Sequence, residues 1–468
     1  MDFPDERAAA ESKVEMEKKT PFPARDKSPS ERPREAPLPI DLAAETPHEV
    51  PRRIHILGTG SIGRLVAHSL RDLPDPPPVT LILHSSYYWH EWQRSSKEIT
   101  INTEGIRVAR SGFDVEYVPA GFRQHGKLIS KEEHNAGVGE PNQLRAHERM
   151  KMRKDEDVNT GIHIPEGSTS EEPIYNLIVS VKAGTTVPAL LGVRHRLGPD
   201  SAILFLQNGM GQIDEVNEEV FPDPSTRPKY LSGIVSHGVH TADKIGPLDA
   251  THAGFGTIAI GVPISKDQTG RDTAATEETF LDGTSPASRY LLRTICRSPT
   301  LAAVPNSPTE LLQAQLDKLA MNAIVNPITA LMDARNGALI HNFALTRAMR
   351  LLLGEISLVI RSLPEIAHLP NTGTRFSPER LETLVVSIAH KTSNNISSML
   401  ADTRAGNQTE IQYINGYIVK RGEELGITCW MNYLICQLVR GKQQLISLER
   451  QDELPLSGQR KDDVSGKI

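Results

Sequence analysis

Between Asp317 and Pro327 the chain reads DKLAMNAIVNP, and the residue types and spacing there could do chemistry on a polar ligand. Taken as a helix, this stretch places Lys318, Asn322 and Asn326 at i, i+4 and i+8, one above another on a single face. Leu319, Ala320, Ala323, Ile324 and Val325 fill the other faces. A buried ammonium or unpaired amide costs a few kcal/mol, of the order of 2–7 for a polar group moved out of water, so such a stripe lies against a cavity, a ligand or a partnered network. The alternative is a solvent-facing stripe on a helix that Pro327 ends.

The elements that would position this stripe begin at RRIHILGTGSIGRLVAHSLRD. Ile54, Ile56 and Leu57 make a short apolar strand, Gly58-Thr59-Gly60-Ser61-Ile62-Gly63 a turn, and Ile62, Leu65, Val66 and Leu70 the apolar face of a helix. Strand, glycine turn and helix are what a dinucleotide pyrophosphate needs: close backbone approach and free N–H groups at a helix start. The next strand, Val79 to Leu83, ends in His84-Ser85-Ser86 without the acid that would hold an NAD ribose, which favours NADP; Lys97 is a further candidate. Two later apolar strands end at Lys182-Ala183-Gly184-Thr185 and at Gln207-Asn208-Gly209-Met210-Gly211. Ligands bind outside the carboxyl ends of such strands, so Lys182 and Asn208 should face the same cleft as the glycine turn.

Alternating strands and helices predict a parallel, doubly wound α/β domain over residues 51–264, with single strands at Tyr230 to His240 and Gly256 to Gly261. A hydrophilic insert from about 123 to 173, around RAHERMKMRKDEDVNTG, reads as a mobile surface loop. Residues 265–285 read as a linker. From 286 to 450 only helical patterns are expected, at Leu311 to Val325, Ala344 to Ile360, Ser377 to His390 and Gln408 to Leu425, which predicts an all-helical second domain. Residues 1–50 and 451–468 read as disordered extensions.

Composition narrows the partners. With 52 basic and 58 acidic residues the net charge is -6, so there is no global nucleic-acid footprint. No run of eighteen apolar residues exists, so no membrane-spanning helix is expected. The 3 cysteines are too few and too scattered for a disulfide frame or a zinc site, which fits a reducing compartment. Acids near the N terminus argue against a mitochondrial transit peptide, so the expected location is the cytoplasm, with the mitochondrion as the alternative.

Five separated blocks now share a familiar order: GTGSIG, SVKAG, LQNGMG, DKLAMNAIVNPITAL with Asn336-Gly337 after it, and NNISSMLADTRAGNQTEIQYINGYIV. In these the chain resembles the ketopantoate reductase (2-dehydropantoate 2-reductase) family, from Gly58 to about Ile427. The resemblance implies a Rossmann-like N-terminal domain and an all-α C-terminal domain, with NADPH and a 2-oxo acid meeting in the cleft between them. It implies that Lys318 is the general acid, that Asn322, Asn326, Asn336 and Ser398 hold the substrate's hydroxyl and carboxylate groups, and that Asn395 lies close by. Glu410 matches the acid on the cofactor's ribose side, Lys182 and Asn208 match cofactor-binding positions, and His237-Gly238 matches a backbone contact to cofactor. The chain departs from the family at His84, where the family often has Arg. The expected reaction is reduction of 2-dehydropantoate to pantoate, in the route to pantothenate and coenzyme A. Reduction of another 2-oxo acid and a non-catalytic, NADP-binding regulatory role are the alternatives. The expected partner is a small 2-oxo acid, with no nucleic acid, no membrane and a homodimer left open.

Overall fold

The computed structural model describes residues 50–118, 122–124, 127–129, 170–241, 246–264 and 284–450. The readings of the two extensions, of most of the charged insert and of nearly all of the linker lie outside the described residues. The strands are β1 (Ile54–Leu57), β2 (Val79–Leu83), β3 (Ile99–Thr103), β4 (Ile106–Arg110), β5 (Phe113–Tyr117), β6 (Phe122–Gln124), β7 (Lys127–Ile129), β8 (Asn176–Val179), β9 (Ala202–Phe205), β10 (Lys229–Val235), β11 (Gly238–Thr241), β12 (Ala250–Gly254), β13 (Ile258–Gly261) and β14 (Ala303–Pro305). Numbering helices of eight residues or more, α1 is Ser61–Arg71, α2 Ser86–Arg94, α3 Thr186–Val193, α4 Gln212–Glu219, α5 Pro286–Cys296 and α6 Pro308–Met332. After these come α7 (Phe343–Ser362), α8 (Pro378–Lys391), α9 (Ser398–Ala405), α10 (Asn415–Glu424) and α11 (Trp430–Arg450).

Short, mostly apolar strands such as Asn176–Val179 and Ala202–Phe205 are buried along their length, as a sheet covered on both faces requires. They form an eight-stranded sheet in the order β14-β13-β10-β9-β8-β1-β2-β5. Its pairs are parallel except β10 with β13, which run antiparallel. A second sheet, β11-β12-β3-β4, lies beside α1. The carboxyl ends of the neighbouring parallel strands β1, β8 and β9 bring the glycine turn, Lys182 and Asn208 to one end of the main sheet, as the α/β reading requires.

Several expectations are corrected. The reach from Tyr230 to His240 is two strands in two sheets, broken at Ser236-His237, because the His237 ring turns inward to Leu301 O (2.9 Å) and His252 Nε2 (3.1 Å). At the start of the insert, read as loop, β6 and β7 pair as an antiparallel hairpin. The helical region is not free of strands: β14 extends the sheet edge, where its Pro305 is tolerated because it owes no interior ladder bond. Helix α5 also packs under β8, β9 and β10 through Leu291, Leu292 and Ile295, so it belongs to the sheet layer. The expected helix over Gln408 to Leu425 is a 3₁₀ turn at Ile411–Tyr413 followed by α10, because residues 410 and 413 bond to the sheet part.

The helical part is built around α6. A capping box between Ser307 and Glu310 and Pro308 in the first turn start it. Helices α7, α8, α9 and α11 pack about it, burying Leu316, Ile324, Leu353, Ile356, Phe376 and Val439 among others. Pro327 does not end it; the helix continues to Met332 and stops at Asp333, whose φ is 51°. The carbonyl that Pro327 leaves without its partner, Ala323 O, receives Asn415 Nδ2 at 2.8 Å.

Candidate active site

Lys318 is held at both ends of its environment by sheet strands. Its Nζ donates to Asn208 Oδ1 at 2.9 Å, beyond β9, and to Val235 O at 2.7 Å, the last residue of β10. Asn208 Nδ2 donates to Glu410 Oε2 (3.3 Å), and Glu410 Oε1 accepts Ala183 N–H (3.1 Å). Lys182 Nζ donates to Asp402 Oδ2 at 2.7 Å and lies 3.8 Å from Glu410 Oε2. One polar chain, Lys318–Asn208–Glu410–Lys182–Asp402, therefore alternates between the helical part and the sheet part. Five residues spread over more than two hundred positions meet because α6, α9 and the 410–413 turn abut the ends of β8 and β9.

Burial lowers the Lys318 ammonium to about 8, a shift that the Glu410 carboxylate opposes. An ammonium near 8 still carries its proton at neutral pH and releases it readily, as proton transfer to a developing oxyanion requires. Burial pushes the Asp402 carboxyl upward against the pull of Lys182. Beside Lys318 opens a cavity of about 310 Å³, lined in part by Asn208, Met210, Gln315, Leu319 and Asn322, a volume suited to a small organic ligand.

The stripe on α6 is present. Asn322 and Asn326 are only 8% and 6% exposed, and among the described residues neither amide bonds to another protein group. Asn336 is also buried; its Nδ2 donates to Thr392 Oγ1 (3.0 Å), its N–H to Asn395 O (3.0 Å), and its Oδ1 has no donor among the described residues. Asn395 and Ser398 are exposed, Asn395 taking part through its backbone carbonyl. It is Ser397, the residue before Ser398, that caps α9.

The glycine turn fits an anionic group. Gly58 has φ +104°, and a Cβ there would come within 2.6 Å of Val181 N. Gly60 caps α1 without a side-chain bond to the first N–H groups, and the first turn, Ser61, Ile62 and Gly63, holds no acid to compete with an anion there. Gly238 lies apart from this group, paired with Gly254 in the second sheet.

The sequence reading missed Arg64, Asp402 and Val235. Buried Arg64 bonds Thr59 O (2.7 Å) and Asp249 O (2.8 Å), bracing the turn. Asp402 had a faint signal, since it lies one helical turn beyond Ser398; Val235 acts through its carbonyl and had none.

A family model described as ketopantoate reductase PanE/ApbA matches residues 54–263, and one described as ketopantoate reductase PanE/ApbA C terminal matches residues 310–443. A Schizosaccharomyces pombe protein named probable 2-dehydropantoate 2-reductase is 30% identical over 274 residues, 58% of this chain and 75% of that protein. A ketoisovalerate reductase of Beauveria bassiana is 25% identical over 426 residues, 83% of this chain and 82% of the relative. Among solved structures, D-mandelate dehydrogenase with NADH and anilino(oxo)acetate shares the fold with a TM-score of 0.58 and 16% identity, covering 84% of this chain and 99% of the other.

Proposed function

Because the chain belongs to the ketopantoate reductase family, we propose that it reduces 2-dehydropantoate to pantoate with NADPH, on the route to pantothenate and coenzyme A. The observation that carries this reading is the Lys318 ammonium, fixed by Asn208 and Val235 beside a cavity that Asn322, one helical turn on, also lines. The bound dinucleotide supplies the hydride. Residues Gly58 to Gly63 would hold its pyrophosphate, and Lys182, Asn208 and Glu410 the part toward its nicotinamide ribose. The strand end at His84-Ser85-Ser86 lacks a carboxylate that would repel a 2′-phosphate, which supports NADP over NAD.

On this reading Lys318 gives its proton to the ketone oxygen as negative charge develops there, and its positive charge stabilises that oxygen before the proton moves. Asn322, Asn326, Asn336 and Ser398 hold the substrate's hydroxyl and carboxylate groups, with Asn395 close by. Amides fix the substrate without adding charge, so the ammonium remains the attraction for a carboxylated ligand.

A second reading, reduction of ketoisovalerate, is favoured by one observation: the ketoisovalerate reductase aligns over 83% of this chain and the S. pombe relative over 58%. The two substrates differ by a hydroxymethyl group, and Asn336 Oδ1 is a buried acceptor suited to that hydroxyl. A site built to bond a hydroxyl rejects the analogue without it by up to about 10⁴–10⁵. The test is kcat/KM for both acids with NADPH. A preference of at least about 100-fold for 2-dehydropantoate is expected. The reverse preference would sink the pantoate reading, as would tight NADPH binding without turnover of either acid, and a panel of other 2-oxo acids would then separate a different reductase from the non-catalytic role.

A further inference from the structure

We propose that Asn415 is a positioning residue for the amides of α6, standing in for the backbone hydrogen bond that Pro327 deletes. In a continuous helix the N–H of residue 327 would bond the carbonyl of residue 323. Proline has no N–H, yet α6 runs on for five more residues, and Ala323 is 0% exposed, so no water reaches that carbonyl. Asn415 Nδ2 fills the place at 2.8 Å.

The orientation of that amide is dictated from further back. The Glu355 carboxylate only accepts, and it takes Met431 N–H (2.9 Å), Asn432 N–H (2.9 Å) and Asn432 Nδ2 (2.7 Å). Asn432 must therefore turn its Oδ1 toward Asn415, which donates to it at 3.0 Å. Both hydrogens of Asn415 Nδ2 are then assigned, one to Asn432 and one to Ala323 O. Asn415 and Asn432 are both 0% exposed, so the relay from α7 through α11 and α10 to α6 is shielded from solvent.

Position gives the relay its consequence. Asn322 immediately precedes Ala323, and Asn326 immediately precedes Pro327, a place where proline pushes its neighbour out of helical geometry. The turn that carries both amides thus lacks its own hydrogen bond and depends on Asn415 for its shape. This inference rests on the reading that those amides face the substrate, where a displacement of about 1 Å can cost on the order of 100-fold in rate.

The experiment compares wild type, Asn415→Ala, Pro327→Ala and the double variant. In Asn415→Ala the KM for 2-dehydropantoate should rise about tenfold or more, while the NADPH Kd, read by cofactor fluorescence, stays unchanged. In the double variant the new N–H at residue 327 bonds Ala323 O, and KM should return to within about threefold of Pro327→Ala. A general packing role for Asn415 would lower Tm without this rescue of KM. A folded Asn415→Ala with unchanged KM overturns the proposal, as does a double variant that stays impaired or does not fold. Should the wild type reduce no 2-oxo acid, the function fails separately, and hydrogen exchange over residues 318–332 reads the same cycle: faster in Asn415→Ala and restored in the double variant. Exchange that ignores Asn415 overturns the inference.

Discussion

Lys318 combines a half-buried ammonium with two oxygen acceptors in place to hold it. Its pKa near 8, against about 10.4 for a free lysine, sets a definite pH dependence. The acid must enter protonated, so kcat/KM should be level below about pH 8 and fall about tenfold per unit above it. A profile that stays level to about pH 10 would remove Lys318 from that role. Substitution by alanine should lower kcat by about 10²–10⁴ while NADPH still binds, because the glycine turn is on another element. Equal loss of turnover and binding in stopped-flow and fluorescence assays would instead make the lysine structural. At this scale the sequence was informative wherever spacing alone set the geometry, as with residues 318, 322 and 326. Asp402 escaped because its partner Lys182 is 220 residues away, and only the packing of α9 on the ends of the strands joins them.

Helix α6 works as a spine to which neighbouring elements are pinned. The Thr329 hydroxyl donates to Val325 O (2.7 Å) and lies 2.7 Å from Ser397 Oγ, which in turn accepts Leu400 N–H (3.1 Å) and so fixes the start of α9. Thr329→Val keeps the shape and removes the link, leaving the Ser397 hydroxyl one partner short in a dry site. We expect a loss of about 1–3 kcal/mol in urea unfolding, with KM for the 2-oxo acid rising because Ser398 begins the same turn. A variant with wild-type stability would show that α9 is held by apolar packing instead. The length of α6 also shows why element boundaries were less legible than element types. Whether Pro327 stops a helix depends on who satisfies the carbonyl four residues back, and here the donor is residue 415. Strand β14 was hidden for a similar reason: three residues ending in proline carry no pattern, and a free sheet edge decides their conformation. The Rossmann-like order, by contrast, was readable because buried parallel strands are near-continuous apolar runs.

At the scale of the whole chain, neither part holds a complete site. The sheet part brings the glycine turn, Lys182 and Asn208; the helical part brings Lys318, Glu410 and Asp402. Their relative placement is fixed next to Asn208, where Met210 N–H donates to Tyr413 O (2.8 Å) and Tyr413 Oη donates to Glu215 Oε2 (2.8 Å). Gly209 makes this approach feasible: its φ is +81°, and a Cβ there would lie 2.4 Å from Tyr413 O. Gly209→Ala therefore meets left-handed strain of about 1–2 kcal/mol and a backbone collision together. The carbonyl of residue 413 must retreat, and Glu410, three residues earlier, is drawn off Ala183 N–H and Asn208. We expect the NADPH Kd to rise about tenfold or more, roughly the effect of one lost charged hydrogen bond, and Tm to fall. Gly354 provides the contrast, for it lies within α7 with open space where its Cβ would be, so Gly354→Ala should leave Kd unchanged and stabilise by about 0.4–1 kcal/mol. Calorimetry and cofactor titration of the two variants separate the cases. If both behave alike, the contact at Tyr413 does not govern how the two parts meet, and cofactor affinity belongs to the sheet part alone.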